Sequence, residues 1–138
     1  MTKLSTVNDI VVKNNNHIQS RGSDIFVFED INFLFLIKRI FVINNKNFLD
    51  PRGGHAHKNN DQIISCINGK INLKMTDSKN NRSIDLFNSN FLVYVPKGIW
   101  SDIIFIDKYS TVVCYSSENY DESSYIRNYD DFIDYKNN

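Results

Sequence analysis

Apolar residues along this chain come in short bursts separated by turn-forming residues. The bursts fall at 25–28, 33–43, 62–67, 70–75, 83–86, 91–95, 103–106 and 111–116, and they are rich in Ile, Val, Phe and Tyr. Such runs predict strands, because β-branched and aromatic side chains pack well on a pleated surface. Asn44-Asn45, Asn68-Gly69, the clusters at 78–81 and 88–90, Pro96-Lys97-Gly98 and Asp107-Lys108 punctuate them. Asn68-Gly69 between two such runs predicts a type I′ hairpin. Many short strands at intervals of about 8–12 residues predict a sandwich or barrel. Only the tail carries a helical pattern. Tyr125, Ile126, Tyr129 and Ile133 share one face there, and Asp121 or Ser123 stands where a cap belongs. The expectation is one all-β domain over 1–138 with a short C-terminal helix.

Composition narrows the function more than the fold. Sixteen Lys and Arg balance sixteen Asp and Glu, and no basic stripe forms, so a nucleic-acid face is not expected. No apolar run reaches the roughly 18 residues that span a bilayer, and residues 1–8 lack an apolar signal core. Cys66 and Cys114 both fall inside strand-like runs. They are read as core thiols, which suits a reducing cytoplasm.

The chemistry concentrates in Pro51-Arg52-Gly53-Gly54-His55-Ala56-His57-Lys58. On an extended segment, histidines at i and i+2 point the same way. Arg52 and Lys58 place fixed cations beside two groups that titrate near neutrality. The cluster suits an anionic substrate and proton transfer. It equally looks like half of a metal site.

A small all-β chain with His-x-His after a glycine-containing loop resembles the cupin superfamily. In metal-binding cupins a Glu follows the second His, and a later Pro-x-Gly-x-x-His supplies the last ligand. Here Gln62 holds the Glu place, and Pro96-Lys97-Gly98-Ile99-Trp100 leads to Ser101 in the final His place. An amide and a hydroxyl are poor ligands for a divalent transition metal. Asp61 is no substitute, because strand neighbours face opposite sides. No metal and no other cofactor is expected.

The chain more closely resembles the dTDP-4-keto-6-deoxyglucose 3,4-ketoisomerases, a WxcM-like family within the cupins. The resemblance runs through Lys38-Arg39-Ile40-Phe41, the Pro51 to Lys58 segment, Gln62 through Gly69, Val95-Pro96 with Trp100, and the tail from Asn119-Tyr120-Asp121-Glu122 to Tyr129-Asp130. It implies a homodimeric cupin-type jelly-roll barrel. The implied substrate is a dTDP-linked 4-keto-6-deoxy sugar, and the 3-keto product would serve transamination to a 3-amino-3,6-dideoxyhexose. Two positions depart from the pattern. Ser101 bears on which face of C4 receives its proton, and Gly54, where relatives carry an aromatic residue, loosens the loop before His55.

Moving a ketone from C4 to C3 requires loss of the C3 proton, an enediolate, and a proton delivered to C4. His55 and His57 are the catalytic candidates, with the base left open between them. Arg39, Gln62 and Ser101 are candidates to stabilise the enolate oxygen if they face the barrel interior. Arg52 and Arg21, then Lys58, are candidates for the diphosphate. Trp100 and Tyr94 are candidates for a thymine slot, with Trp100 equally placed for the sugar. Plainer roles stay open for each: Arg21 in a turn, Arg39 in an ion pair or dimer contact, Gln62 capping a strand, Trp100 in the core, Lys58 in solvent. Two rival functions share these residues, a dTDP-sugar 3,5-epimerase and a non-catalytic sugar-binding cupin.

Overall fold

The computed structural model describes residues 4–29, 34–46, 50–89 and 91–138. Among these residues there are twelve strands: β1 (Val11–Asn14), β2 (Asn16–Ser20), β3 (Ser23–Val27), β4 (Arg39–Asn44), β5 (Arg52–His57), β6 (Gln62–Asn68), β7 (Lys70–Thr76), β8 (Asn81–Phe87), β9 (Phe91–Val95), β10 (Trp100–Phe105), β11 (Thr111–Ser116) and β12 (Tyr125–Ile126). One sheet runs β1-β9-β6-β11-β4 and faces another that runs β12-β5-β10-β7-β8. All pairings are antiparallel. From β8 onward, successive strands alternate between the two sheets, the habit of a jelly roll. The predicted all-β architecture therefore holds.

The interior fills from both sheets by the period of two. Ile64, Cys66, Val93, Val95, Val112 and Cys114 from one sheet meet Ile71, Leu73, Met75, Leu86, Ile103 and Phe105 from the other. The odd neighbours Ile63, Leu92, Val113 and Tyr115 face outward and are covered by Phe28, Phe35 and Ile37. Both cysteines are free and buried, and burial pushes their thiols up, Cys66 to about 11 and Cys114 to about 12. No helix among the described residues is long and apolar enough to cross a membrane.

Four local expectations are corrected. Asn68-Gly69 closes no hairpin: β6 and β7 enter opposite sheets, and only Gly69 of the two has positive φ, whereas a type I′ turn needs both. A Cβ at Gly69 would sit 2.8 Å from the Ser110 Cα, so the glycine serves a tight corner between the sheets. The predicted strand at 33–43 begins only at Arg39, while Phe33 lies outside the described residues. Phe35 and Ile37 leave the ladder and lie over the outer face of the first sheet. The tail helix, α1 (Tyr129–Asn137), starts later than its apolar pattern suggests and is capped by Asn128. Asp121 caps a separate 3-10 turn, Glu122–Ser124, and Tyr125-Ile126 form a strand. β1 and β2 carried no strong apolar signal, and β2 is exposed throughout.

Candidate active site

β5 delivers the histidines. Gly53 and Gly54 both have positive φ, and the β5–β10 register shifts between Ser101 and Asp102. A Cβ at Gly53 would approach the Ser101 carbonyl oxygen to 2.7 Å, so the strand can run this close only as glycine. After the bulge, His55 and His57 face inward. Ala56 faces out, onto a cluster with Trp100, Ile126 and Phe132 beneath α1.

Two adjoining cavities open from the histidines. The larger, about 530 Å³, is lined by His55 with Arg52, Gln62, Ser101, Tyr125 and Arg127, over an apolar floor that includes Ile64 and Cys114. The smaller, about 270 Å³, is lined by His57 with Arg39, Asn60, Tyr120 and Tyr125. The imidazole centroids stand 4.8 Å apart, edge to face. Tyr125 contacts both rings, at 4.9 Å from His55 and 4.3 Å from His57, and separates the two cavities.

Several polar atoms here are buried and have no hydrogen-bond partner among the described residues: both ring nitrogens of His57, Nδ1 of His55, Nε of Arg39 and Nδ2 of Asn60. Unpaired buried donors and acceptors are costly, and their clustering marks a place built for a polar ligand. Burial above all lowers His57 from the ordinary 6.5 to about 3, and the neighbouring His55, Arg39 and Arg127 charges add to it. Burial also lowers His55, against an opposing hydrogen bond to the Gly53 backbone. Both rings are therefore neutral at pH 7, the form in which an imidazole accepts a proton. Among the described residues no three His, Cys, Asp or Glu side chains gather as a metal cluster.

The structure thus brings His55, Arg52, Gln62 and Ser101 to one cavity and His57 and Arg39 to its neighbour. Four candidates lie elsewhere. Tyr94 is on the outer face of β9, beside Phe35, where burial and Asp61 push its phenol up to about 12. It alternates with Val93 and Val95, which occupy the interior, so its ring lies outside the cavities that hold the histidines. Trp100 is likewise turned outward by its inward neighbour Ser101. It is packed under α1 against Tyr129 and Phe132, with Nε1 donating to Asp102 at 3.3 Å. Lys58 is solvent-exposed just past β5, where its backbone N–H donates to the Ser124 carbonyl. Arg21 sits at the exposed tip of the β2–β3 hairpin, in a hollow formed only by residues 19–24.

Sequence reasoning missed Tyr125, Arg127, Glu122 and Asn60. The first three belong to a tail segment read as helical packing. Tyr125 pairs with His57 across β12–β5, and the i, i+2 spacing of Tyr125 and Arg127 was the available signal.

Residues 6–137 match the family model described as FdtA, WxcM-like, C-terminal. The chain is 34% identical over 118 residues to a TDP-4-oxo-6-deoxy-alpha-D-glucose-3,4-oxoisomerase of Aneurinibacillus thermoaerophilus, covering 86% of this chain and 85% of that one. A crystal structure of the TDP-fucose-3,4-ketoisomerase WlaRA of Campylobacter jejuni superposes with a TM-score of 0.82 at 31% identity, covering 93% and 96% of the two chains. The 3,4-ketoisomerase QdtA of Thermoanaerobacterium thermosaccharolyticum, solved with TDP, superposes with a TM-score of 0.88 at 26% identity, covering 95% and 96%. With nearly its whole length matched, this chain belongs to the WxcM-like FdtA family of sugar 3,4-ketoisomerase homologues.

Proposed function

We propose that this isomerase converts dTDP-4-keto-6-deoxyglucose to the 3-keto sugar by proton transfer through an enediolate. The observation that carries the reading is a pair of neutral imidazoles, His57 buried with neither ring nitrogen partnered among the described residues and half-buried His55 opening on a cavity lined by Arg52, Gln62 and Ser101. The C4 carbonyl acidifies the C3 hydrogen, and a neutral imidazole of the pair removes it. Electrons move from the C3–H bond through the enediolate to C4, which takes a proton as the C3 hydroxyl loses its own. The net change is redox-neutral and needs no external oxidant. The Gln62 amide and Ser101 hydroxyl line the same cavity and are the donors for the developing oxyanion. The diphosphate lies toward Arg52. Its negative charge offsets Arg39 and Arg127, which raises imidazole basicity when substrate is bound. The 3-keto product suits a following transamination at C3.

NMR of dTDP-4-keto-6-deoxyglucose in deuterated buffer with excess chelator tests this reading. The expected spectrum shows the carbonyl carbon moving from C4 to C3, with solvent deuterium at C4 of product or C3 of recovered substrate. Label at C5 would instead identify a 3,5-epimerase. Binding without label or conversion would leave a sugar-binding protein, and loss of turnover on chelation would defeat the metal-free mechanism.

The working unit in this reading is a homodimer. Among the described residues the β2–β3 hairpin pairs with no other strand, and it exposes Ile18 and Ile25. An isolated two-stranded hairpin is marginal in water. The edge strand β4 also exposes Ile40 and Val42, each more than half accessible. Unpaired apolar edges of this kind are covered by association. A dimer is also the arrangement in which Arg21 can serve a site, that of the neighbour. Sedimentation at micromolar concentration is expected to give twice the chain mass, and a clean monomer would remove this part of the proposal.

A further inference from the structure

We infer that Tyr125 is a positioning residue for the His55–His57 pair, and that the Arg127–Glu122 ion pair fixes its ring. This deepens the ketoisomerase reading and rests on it for the activity effects alone.

The arrangement is layered. Both imidazoles lie against the Tyr125 ring. Over the ring stands the Arg127 guanidinium, 4.3 Å from its centroid. Glu122 holds that guanidinium with both carboxylate oxygens, accepting from Nε at 2.6 Å and Nη2 at 3.0 Å, and also accepts from the Tyr120 hydroxyl at 2.6 Å. The planar fork leaves Arg127 little freedom, so the ring beneath is held too. Arg127 and Tyr120 together pull the Glu122 carboxyl down to about 2, so the pair stays ionised through the physiological range.

The crossing segment that carries these residues is anchored at both ends. Ser124 accepts from the Lys58 N–H at 2.8 Å and, through Oγ, from the Asn59 N–H at 3.2 Å. Ile126 is buried with Ala56, Trp100 and Phe132. Tyr125 is therefore registered opposite His57 by the backbone as well as by its ring. Neither ring nitrogen of His57 has a hydrogen-bond partner among the described residues, and His55 meets the Gly53 backbone. His57 is therefore oriented by ring packing, against His55 and most closely against Tyr125, and Tyr125 adds to the Gly53 contact at His55.

The same layer places charge. Groups facing the imidazoles are Arg127 and Glu122 from the tail segment, Arg39 from β4, Asp102 from β10, and Arg52 at the start of β5. Arg127 disfavours a proton on either ring, and Glu122 moderates it. A proton arriving from C3 is thus held loosely and can be passed on.

Four variants test the inference. Tyr125→Leu removes the ring. Its kcat is expected to fall about 10- to 100-fold with KM within about threefold, because misplacing a catalytic group by an ångström has that order of effect. Tyr125→Phe keeps the ring and should restore turnover to within about threefold. If Phe fails as badly as Leu, the hydroxyl acts on substrate and the positioning role is wrong. The second readout needs no substrate: NMR titration of the histidine rings in the free protein. Arg127→Gln removes a cation, so both rings should titrate at higher pH, by roughly half a unit or more. Glu122→Gln unmasks Arg127 and should move them lower. Both side chains are about half exposed, so neither change threatens the fold. Unchanged titrations in both would overturn the inference, whether or not the ketoisomerase assignment stands.

Discussion

Replacing either His55 or His57 by Asn is expected to lower kcat by at least ~100-fold while TDP still binds. Asparagine keeps a polar side chain of smaller size but has no basic nitrogen. The two rings stand 4.8 Å apart and share Tyr125 as a wall, so each also shapes the other's position and charge. A proton on one ring disfavours a proton on its neighbour, and the pair therefore titrates as a unit. Loss of either member should remove the shuttle, and the double variant should lose little more than the singles. Calorimetry with TDP separates binding from chemistry. Near-normal turnover in both single variants would end the assignment.

The pH dependence follows from the direction of the shifts. Both folded-state values lie below the ordinary imidazole value, His57 at about 3. A base must be unprotonated, so kcat/KM should stay level as pH falls through 6.5 and decline only below it. Stability carries the same sign. Between the folded and unfolded values the unfolded chain binds more protons, so stability rises with pH over that window and is lost as pH falls toward 3. An acid limb of kcat/KM at or above neutrality would mean that the histidines are better solvated than their burial indicates.

The outline of this molecule was legible because its core obeys a period of two. Runs such as 62–67 and 111–116 fixed both strand identity and the inward residues. His55 and His57 were legible for the same reason. Gln62 and Ser101 could be placed inward because each follows an outward residue, Asp61 and Trp100. The same parity turns Trp100 and Tyr94 away from the histidine cavities: Trp100 precedes an inward Ser101, and Tyr94 lies between inward Val93 and Val95. The Asn68-Gly69 corner failed because local turn propensity does not say which sheet the next strand joins. The tail failed for a related reason. Tyr125 and Ile126 have helical spacing with Tyr129, but backbone pairing to β5 outweighs the extension of a short helix by one turn. Arg21 marks a further limit: at a hairpin tip it lines only a hollow of residues 19–24 among the described residues, away from the histidines.

Substituting Arg52 by Ala is expected to weaken TDP binding by roughly 10- to 150-fold. Arg52 opens β5, three residues before His55, and lines the same cavity while remaining exposed to solvent. Its guanidinium has no ion-pair partner among the described residues. Arg127, the other guanidinium on this cavity, is already held by Glu122. A free planar fork at the mouth is the group best placed for a diphosphate, and a charge-assisted contact of that kind is worth about 1.5–3 kcal/mol net. Arg52→Lys should recover only part of the affinity, because an ammonium supplies charge without the fork. Higher salt should narrow the gap between wild type and Arg52→Ala, since screening weakens the contact that Ala lacks. Calorimetric titration of dTDP into the three proteins at two salt concentrations reads all of these together. Equal affinity in all three would make Arg52 a turn residue and move the diphosphate cation to Arg127, released from Glu122 on binding, or to Arg21 across the dimer.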